Sequence, residues 1–255
     1  MEKTKITPKR ILGIVLLLAS VGGLIFAGIR IFAWNDENDK TKSLEAEARQ
    51  YVRVIDGTKE QKSKKRTLDI DFAALKDRNP DTVAWLRVAG TSIDTPVVQT
   101  NDNDFYLSHT FDRSSSSAGW AFLDYRDKLD VENETLNQII YAHYRLDGSL
   151  FAELYKLFGS EWQGNSRNND IILATPEGER HYKVFSIYHT DDQDKYIRTS
   201  FKKLSDYEDY LKHSYERSEH KFKIKPKVTD RILTLSTCNL KEGSRTVVQA
   251  VLQEK

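Results

Sequence analysis

Cysteine and methionine are almost absent from this sequence. Cys238 is the only cysteine among 255 residues, and Met1 is the only methionine. A single thiol excludes both an intramolecular disulfide and a zinc site built from several thiolates. The lack of methionine also excludes an adaptable Met-lined binding surface. Glycine is sparse, with 12 residues, and neither a Gly-rich phosphate-binding loop nor a Gly-x-Ser-x-Gly nucleophile motif occurs.

An excess of charge of one sign is also lacking. Lys and Arg total 39 and Asp and Glu total 38, which argues against a chain built to bind a nucleic-acid backbone. The acidic clusters at 102–104 and 191–194 lack the ligand spacing of a calcium loop. Hydrophobic residues reach 39% and aromatic residues 11%, enough for a core. The sequence therefore predicts a folded domain with no metal or other cofactor.

One long hydrophobic run is present near the N-terminus. Residues 11–29 carry no charge over 19 residues, enough for about 28 Å of helix, close to the thickness of a bilayer core. Lys3, Lys5, Lys9 and Arg10 precede the run, so the positive-inside rule puts the N-terminus in the cytoplasm and the chain after about residue 34 outside the cell. The alternative is a cleaved signal peptide, which normally has a shorter apolar core and a clear cleavage site.

These features predict a single-pass protein of the cell membrane in four parts. A cytoplasmic N-terminus (1–10) precedes a transmembrane anchor (11–33), an extracellular linker with a helix (34–67) and a folded domain (68–255). The linker helix is expected at 43–55, and the basic run at 59–66 is expected to be solvated. A short helix at 71–79 should begin at Asp71 and end before Pro80.

The periodicity of the folded domain is mainly that of β-strands. Extended segments rich in β-branched and aromatic residues occur at 82–88, 93–99, 120–123, 139–143, 171–175, 182–189, 231–236 and 246–252. Two helical segments interrupt them, at 150–158 and 204–218. Residues 176–179 join two of the strands as a hairpin turn. This pattern predicts a mostly antiparallel barrel or sandwich.

Cys238 lies where an extended segment meets a polar turn. A nucleophile is expected at such a strand exit, whereas a core cysteine lies more often inside the apolar alternation. Unpaired thiols outside the cell are uncommon, so a leftover one suggests a reactive role or intermolecular pairing. A buried, inert cysteine remains the alternative.

A cysteine nucleophile needs a partner for proton transfer, and His143 is the best placed of six histidines. His143 ends the apolar run 139–142 and precedes a loop, as Cys238 does. A hydrogen-bonded structural histidine is the alternative. Arg245 lies seven residues after Cys238, and a hairpin of that length would bring the two side by side. An arginine could stabilise a developing oxyanion there, although an ordinary surface role is equally consistent with the spacing.

The combined motifs resemble the sortase family, specifically class B, from about residue 68 to the C-terminus. The family marks are TLSTC ending at Cys238, Arg245 at the start of the next strand, and YAH ending at His143, followed by GSLFAEL. The class B marks are NPDTVAWL, IDTPVVQ, DNDFYL, FLDYR and the late helix. The resemblance implies a closed eight-stranded sortase-type β-barrel with N-terminal helices and a late inserted helix.

The resemblance also implies a membrane-anchored cysteine transpeptidase of Gram-positive bacteria. Cys238 would attack the carbonyl after the Thr of a C-terminal sorting signal on a surface protein or pilin, forming a thioacyl intermediate. His143 would transfer protons, and Arg245 would hold the substrate and stabilise the oxyanion. An amine of a peptidoglycan precursor or a pilin lysine would then resolve the intermediate. Six positions would contact the sorting signal: Asn103, Leu107, Tyr196, Ile197, Ser236 and Thr237.

Several alternatives remain open. Asn239 stands where class B members often have an acidic residue, and the 238–245 loop is short, so the sorting motif and the acceptor are not defined. The enzyme could anchor proteins to the wall or polymerise pili. A hydrolytic NlpC/P60-type peptidase would have its cysteine before its histidine, the reverse of this order, and an L,D-transpeptidase would have a Ser-His-Gly-Cys stretch. A non-catalytic membrane-anchored scaffold would need neither His143 nor Arg245.

Overall fold

The computed structural model describes residues 8–55, 67–130, 135–165, 168, 170–191, 194–238 and 243–253. The chain divides into two compact units, Met1–Lys40 and Thr41–Lys255. Helix α1 (Pro8–Arg49) contains the apolar run and is long and apolar enough to cross a membrane. Large side chains along that run, such as those of Leu24 and Phe26, are exposed.

The second unit is built around a closed barrel of eight strands, β3 to β10. They are β3 (Thr82–Val88), β4 (Asp94–Val98), β5 (Phe122–Leu123), β6 (Asn137–His143), β7 (Asp170–Thr175), β8 (Gly178–Asp191), β9 (Ile232–Cys238) and β10 (Ser244–Leu252). The order around the barrel is β10-β8-β7-β3-β4-β5-β6-β9. Only the β4–β5 and β6–β9 pairs of this barrel are parallel. The predicted closed eight-stranded barrel is confirmed.

A small hairpin precedes the barrel. The prediction of a helix over 43–55 is wrong in its second part, because the hairpin begins within that range. Helix α1 ends at Arg49, and the next residues form β1 (Val52–Ile55), which pairs with β2 (Thr67–Ile70). The run Val-Arg-Val-Ile is β-branched at three of four positions and therefore favours a strand over a continued helix. The basic run at 59–66 lies outside the described residues.

The other helices are short and close to their expected positions. Helix α2 (Phe72–Arg78) begins as expected at Asp71, whose Oδ1 accepts a 2.9 Å hydrogen bond from the Ala74 amide. The segment expected as a helix at 150–158 is a 3₁₀ helix, Phe151–Phe158, and a second 3₁₀ turn spans Phe105–Leu107. Helix α3 (Ser160–Gly164) was not expected, whereas α4 (Leu204–Glu216) confirms the late inserted helix.

Strand alternation separates the barrel interior from the face that α4 covers. Along β9, Leu233 and Leu235 belong to the main core with Trp85 and Val248. Ile232, on the other face, packs with Tyr207, Tyr210 and Leu211 of α4. Helix α4 therefore covers the outward-facing side of β9 near Ile232. The strand runs from there to the edge of the barrel, where it ends at Cys238.

Candidate active site

Backbone register brings the three candidate catalytic residues to one edge of the barrel. Cys238 pairs with Arg245 across the β9–β10 hairpin, which confirms the pairing expected from the loop length. On its other side, Cys238 pairs with His143 at the end of the parallel strand β6. Because parallel strands run in the same direction, β6 and β9 both end at this edge. Thr190 of β8 pairs with Arg245 and extends the row to a fourth strand.

The imidazole of His143 is oriented by a backbone carbonyl. Its Nε2 lies 2.9 Å from the carbonyl oxygen of Leu107, and the side chain is partly exposed. Since a carbonyl oxygen can only accept, this contact assigns a proton to Nε2. In the neutral ring, Nδ1 is then the basic nitrogen.

The wall beside His143 requires a glycine. Gly119 has φ +59°, and a Cβ placed on it would lie 2.6 Å from the Tyr106 carbonyl oxygen and 2.9 Å from Cδ2 of His143. Both separations are too short for carbon, and a positive φ already disfavours other residues. Gly119 therefore permits the close approach of this loop to the imidazole ring, a role that no sequence motif indicated.

A groove of about 260 Å³ opens beside His143 and Arg245. It is lined by Asn103, Leu107, Phe122, Tyr141, Ala142, His143, Tyr196, Ile197, Ser236 and Arg245. Five of the six residues expected to contact substrate are in this set. The sixth, Thr237, is buried within β9, where it pairs with Ala142 and Thr246, and it does not line the groove.

Under the groove lies a buried carboxylate, Asp124. It accepts two hydrogen bonds from the guanidinium of Arg126 (2.8 and 2.7 Å) and one from the Arg126 backbone amide (3.0 Å). It also accepts one from the hydroxyl of Tyr141 (2.9 Å) and one from the side-chain amide of Asn103 (3.1 Å). Burial opposes ionisation, but the hydrogen bonds from Arg126 and Tyr141 together outweigh it and lower the pKa of Asp124. Burial and the neighbouring Asp124 raise the pKa of Tyr141. Asp124 therefore holds two lining residues in place as an ionised acceptor.

On the opposite side of the groove, α4 holds the segment that contains Tyr196 and Ile197. The hydroxyls of Tyr196 and Ser236 lie 2.6 Å apart. Tyr210 of α4 donates a 2.8 Å hydrogen bond to the backbone carbonyl of Tyr196 and accepts one of 2.8 Å from Gln249. The late helix thus supports one wall of the groove.

Sequence reasoning did not single out Phe122 and Tyr141 as lining residues, although a signal was available. Tyr141 lies two positions before His143, so strand alternation places both on the same face of β6. Phe122 pairs with Tyr141 across β5 and β6, but that pairing could not be read from sequence because the two residues are 19 positions apart in the chain.

Other histidines have side-chain partners of their own. His109 stacks on Phe105 with ring centroids 3.9 Å apart, His181 lies 3.1 Å from Glu179, and His189 lies 3.0 Å from Glu219. Within the described ranges, no group of three or more His, Cys, Asp or Glu side chains could hold a metal ion. Asn239, which follows Cys238, lies outside the described residues.

Comparison with known proteins defines the class. A family model of the sortase domain matches residues 86–253, and the chain belongs to the sortase family. Sortases are cysteine transpeptidases, and this chain has one cysteine.

More particularly, the chain is a class B sortase. It is 33% identical over 257 residues to sortase B of Listeria monocytogenes, covering 97% of this chain and 99% of the relative. A Bacillus anthracis structure described as similar to sortase B superposes with a TM-score of 0.71 at 31% identity, covering 85% of this chain and 97% of that one. A sortase B structure complexed with triglycine has a TM-score of 0.67 at 32% identity, covering 72% and 85%.

Proposed function

We propose that Cys238, His143 and Arg245 are the catalytic residues of this transpeptidase. The observation that carries the proposal is the backbone register, in which Cys238 pairs with His143 on one side and with Arg245 on the other. Residues paired on adjacent strands direct their side chains to the same face of a sheet. The register therefore supports a site in which a thiol, an imidazole and a guanidinium act together.

The first half-reaction forms a thioester and releases an amine. The thiolate of Cys238 attacks the carbonyl carbon after the Thr of a sorting signal, and the carbonyl oxygen takes the negative charge. The guanidinium of Arg245 stabilises that charge. As the C–N bond breaks, the imidazolium of His143 gives its proton to the leaving amine.

The second half-reaction reverses these roles. Neutral His143 takes a proton from the incoming amine, whose nitrogen attacks the thioester carbon. The C–S bond breaks, the thiolate of Cys238 is regenerated and a new amide remains. The two half-reactions balance without an oxidant or a reductant.

The lined groove is the proposed binding site for the sorting signal. Its wall combines apolar surface from Leu107, Phe122 and Ile197 with the polar groups of Asn103 and Ser236. Such a surface suits an extended peptide with apolar and amide-bearing side chains. Thr237 is not proposed to contact the sorting signal, and its role is limited to that of the residue before the nucleophile in β9. A glycine-like acceptor amine is supported by the related sortase B structure with triglycine.

The apolar part of α1 is the proposed membrane anchor. Its length, composition and exposed side chains support a single span, and the basic residues before it support a cytoplasmic N-terminus with the barrel outside the cell. Sorting-signal proteins and wall-linked amines would both be accessible on that side.

The test uses the full chain in detergent micelles with a panel of fluorogenic sorting peptides (Asn-Pro-x-Thr-Asn/Gly and Leu-Pro-x-Thr-Gly). Each peptide is offered with triglycine, with a lysine side-chain amine and with no added amine. Cleavage that gives an amide product with an amine supports the proposal and names the motif. A triglycine product favours wall anchoring, whereas a product formed only with the lysine amine favours pilus polymerisation.

Cys238→Ala is the control for the nucleophile, and Ser108→Ala is a matched surface control. Loss of cleavage in Cys238→Ala with retention in Ser108→Ala is expected. Undiminished cleavage by the Cys238→Ala protein would contradict the proposal.

A further inference from the structure

Glu45, near the end of α1, is a buried carboxylate that contacts the loop following His143. Its side chain lies in the second compact unit, and the residue is 8% exposed. Its Oε1 accepts a 3.1 Å hydrogen bond from the backbone amide of Leu150. The contact joins two segments that are 105 residues apart in the chain.

Leu150 has an unusual backbone conformation at this contact. Its φ is +52° and its ψ is −125°, a combination that glycine normally adopts. The Leu150 side chain is nevertheless 2% exposed and belongs to the main core. A strained residue of this kind persists only where its surroundings hold it. The buried side chain and the hydrogen bond to Glu45 are two such restraints.

The same residue closes the loop that begins at His143. Leu150 forms an isolated antiparallel bridge with Tyr144, the residue directly after His143. Inside the loop, the side chains of Arg145 and Asp147 are almost fully buried, with Nε and Oδ1 3.5 Å apart. Asp147 also accepts a 2.7 Å hydrogen bond from the hydroxyl of Ser149. The loop is therefore ordered by charged groups next to Glu45.

We infer that Glu45 is a positioning residue for His143. By holding Leu150 in its strained conformation, Glu45 keeps the Tyr144–Leu150 bridge closed and so fixes the end of β6 where the imidazole is attached. This inference rests on the proposed role of His143. The last turns of the N-terminal helix would then help to position a catalytic residue, in addition to any role of the helix in anchoring.

The same helix offers a matched control two residues away. Glu47 forms an ion pair with Arg78 of α2, with Oε1 and Nε 2.6 Å apart, and both side chains are more than a third exposed. Loss of this ion pair removes a contact of the same helix with the barrel unit, but not with the loop 144–150. Effects due to general loosening of the helix would appear in both variants.

The test compares Glu45→Met, Glu45→Gln and Glu47→Met in the full chain in detergent micelles. Methionine matches glutamate in length but has no oxygen acceptor, whereas glutamine keeps the acceptor. We expect kcat for peptide cleavage to fall about fivefold or more in Glu45→Met with KM within about twofold, because a small displacement of a catalytic group reduces turnover. Glu45→Gln and Glu47→Met should keep kcat within about twofold of the parent chain.

A second readout does not depend on a substrate. The chain has one thiol, so the rate of alkylation by iodoacetamide as a function of pH reports on Cys238 alone. We expect the pH profile of Glu45→Met to differ from that of the parent chain, and those of Glu45→Gln and Glu47→Met to match it. If Glu45→Met does not fold, Glu45→Asp replaces it, since it retains the charge but withdraws the oxygen from Leu150.

The outcomes separate this inference from the proposed function. Equal kcat values and equal alkylation profiles for the Glu45 and Glu47 variants would overturn the positioning role, even if the parent chain cleaves sorting peptides. A parent chain that cleaves none of the peptides, together with an altered profile in Glu45→Met, would overturn the proposed sorting-signal substrate and leave the coupling of Glu45 to the Cys238–His143 pair standing.

Discussion

The hydroxyl of Tyr210 donates a 2.8 Å hydrogen bond to the backbone carbonyl of Tyr196, and this bond ties helix α4 to the wall of the groove. Tyr210 is buried, and its oxygen also accepts from Gln249 and Asn137. Burial raises the pKa of Tyr210, so the hydroxyl remains a donor throughout the physiological range. A helix inserted late in the chain thereby supports one wall of the groove beside His143.

Tyr210→Phe should weaken both the fold and substrate binding. The change removes one donor and leaves two buried amide groups with fewer acceptors, which should lower the free energy of unfolding by about 1–2 kcal/mol. Because the Tyr196 segment loses its tether, KM for a sorting peptide should rise more than kcat falls. Denaturant unfolding and steady-state kinetics measure the two effects. An unchanged KM would show that the tether does not order the groove.

Gly119→Ala should displace His143. The added Cβ would meet the Tyr106 carbonyl oxygen and the imidazole, so the ring or the loop must shift, and kcat should fall about tenfold or more. Gly178→Ala is the control, because Gly178 also has a positive φ but a Cβ there meets nothing within 4 Å. Both variants carry backbone strain, but only Gly119→Ala has the contact with His143. Equal kcat values for the two variants would contradict this account.

Asp127 should make the stability of the fold depend on pH. Burial, helped by the charge of Asp124, raises the pKa of Asp127 to about 7, while the Ile139 amide, 2.6 Å from its Oδ2, partly opposes the shift. Between about pH 4 and pH 7, the folded chain then holds a proton that the unfolded chain has released. The contribution of Asp127 to stability is therefore complete at low pH and is lost as the pH rises through that range.

Asp127→Asn removes this dependence, since the amide is always neutral. Relative to the parent chain, the variant should gain stability as the pH rises from 4 to 8, by up to about 4 kcal/mol, since each pH unit between the unfolded and the folded pKa contributes about 1.4 kcal/mol. Thermal or urea unfolding of both proteins across this range measures the difference. A constant difference from pH 4 to pH 8 would show that Asp127 does not titrate as described.

Arg245→Lys should impair the chemical step although it conserves the charge. A lysine cannot offer the planar pair of N–H donors of a guanidinium, so kcat/KM should fall about tenfold or more. Arg87→Lys is a suitable control because Arg87 forms an ion pair with Asp94 across β3 and β4, which do not pair with any strand of the Cys238 row. Undiminished kcat/KM in Arg245→Lys would argue against the role of Arg245.

Local patterns predicted the strands of the barrel and the pairing of Cys238 with Arg245, whereas the closure of the barrel was predicted from the resemblance to sortases. Alternation along each strand indicated the strands, and the hairpin length indicated the register, because both depend on residues close in sequence. The helix expected at 43–55 was too long because the β-branched residues after Arg49 pair with a strand that begins fifteen residues after Val52. Such pairing depends on a distant partner that local propensity does not report.

The residues that hold the groove and the His143 loop in place, Asp124 and Glu45, could not be predicted from sequence for the same reason. Asp124 reads as an ordinary turn residue, yet it binds Arg126, Tyr141 and Asn103 together beneath the groove. The amide of Leu150 meets Glu45 only after the end of the N-terminal helix has packed on the barrel. These contacts join segments that are roughly 20 to 100 residues apart in the chain. Such segments are brought together only when the barrel has closed, so local sequence does not predict their contacts.

Cys238 is the proposed nucleophile of the transpeptidation. The most direct test is the intact mass of the full chain after mixing with an excess of sorting peptide in the absence of added amine, followed by peptide mapping. We expect an acyl adduct on Cys238 that is lost when triglycine is added, with release of the corresponding amide. Peptide cleavage at an undiminished rate by Cys238→Ala, with no adduct in the parent chain, would contradict this role of Cys238.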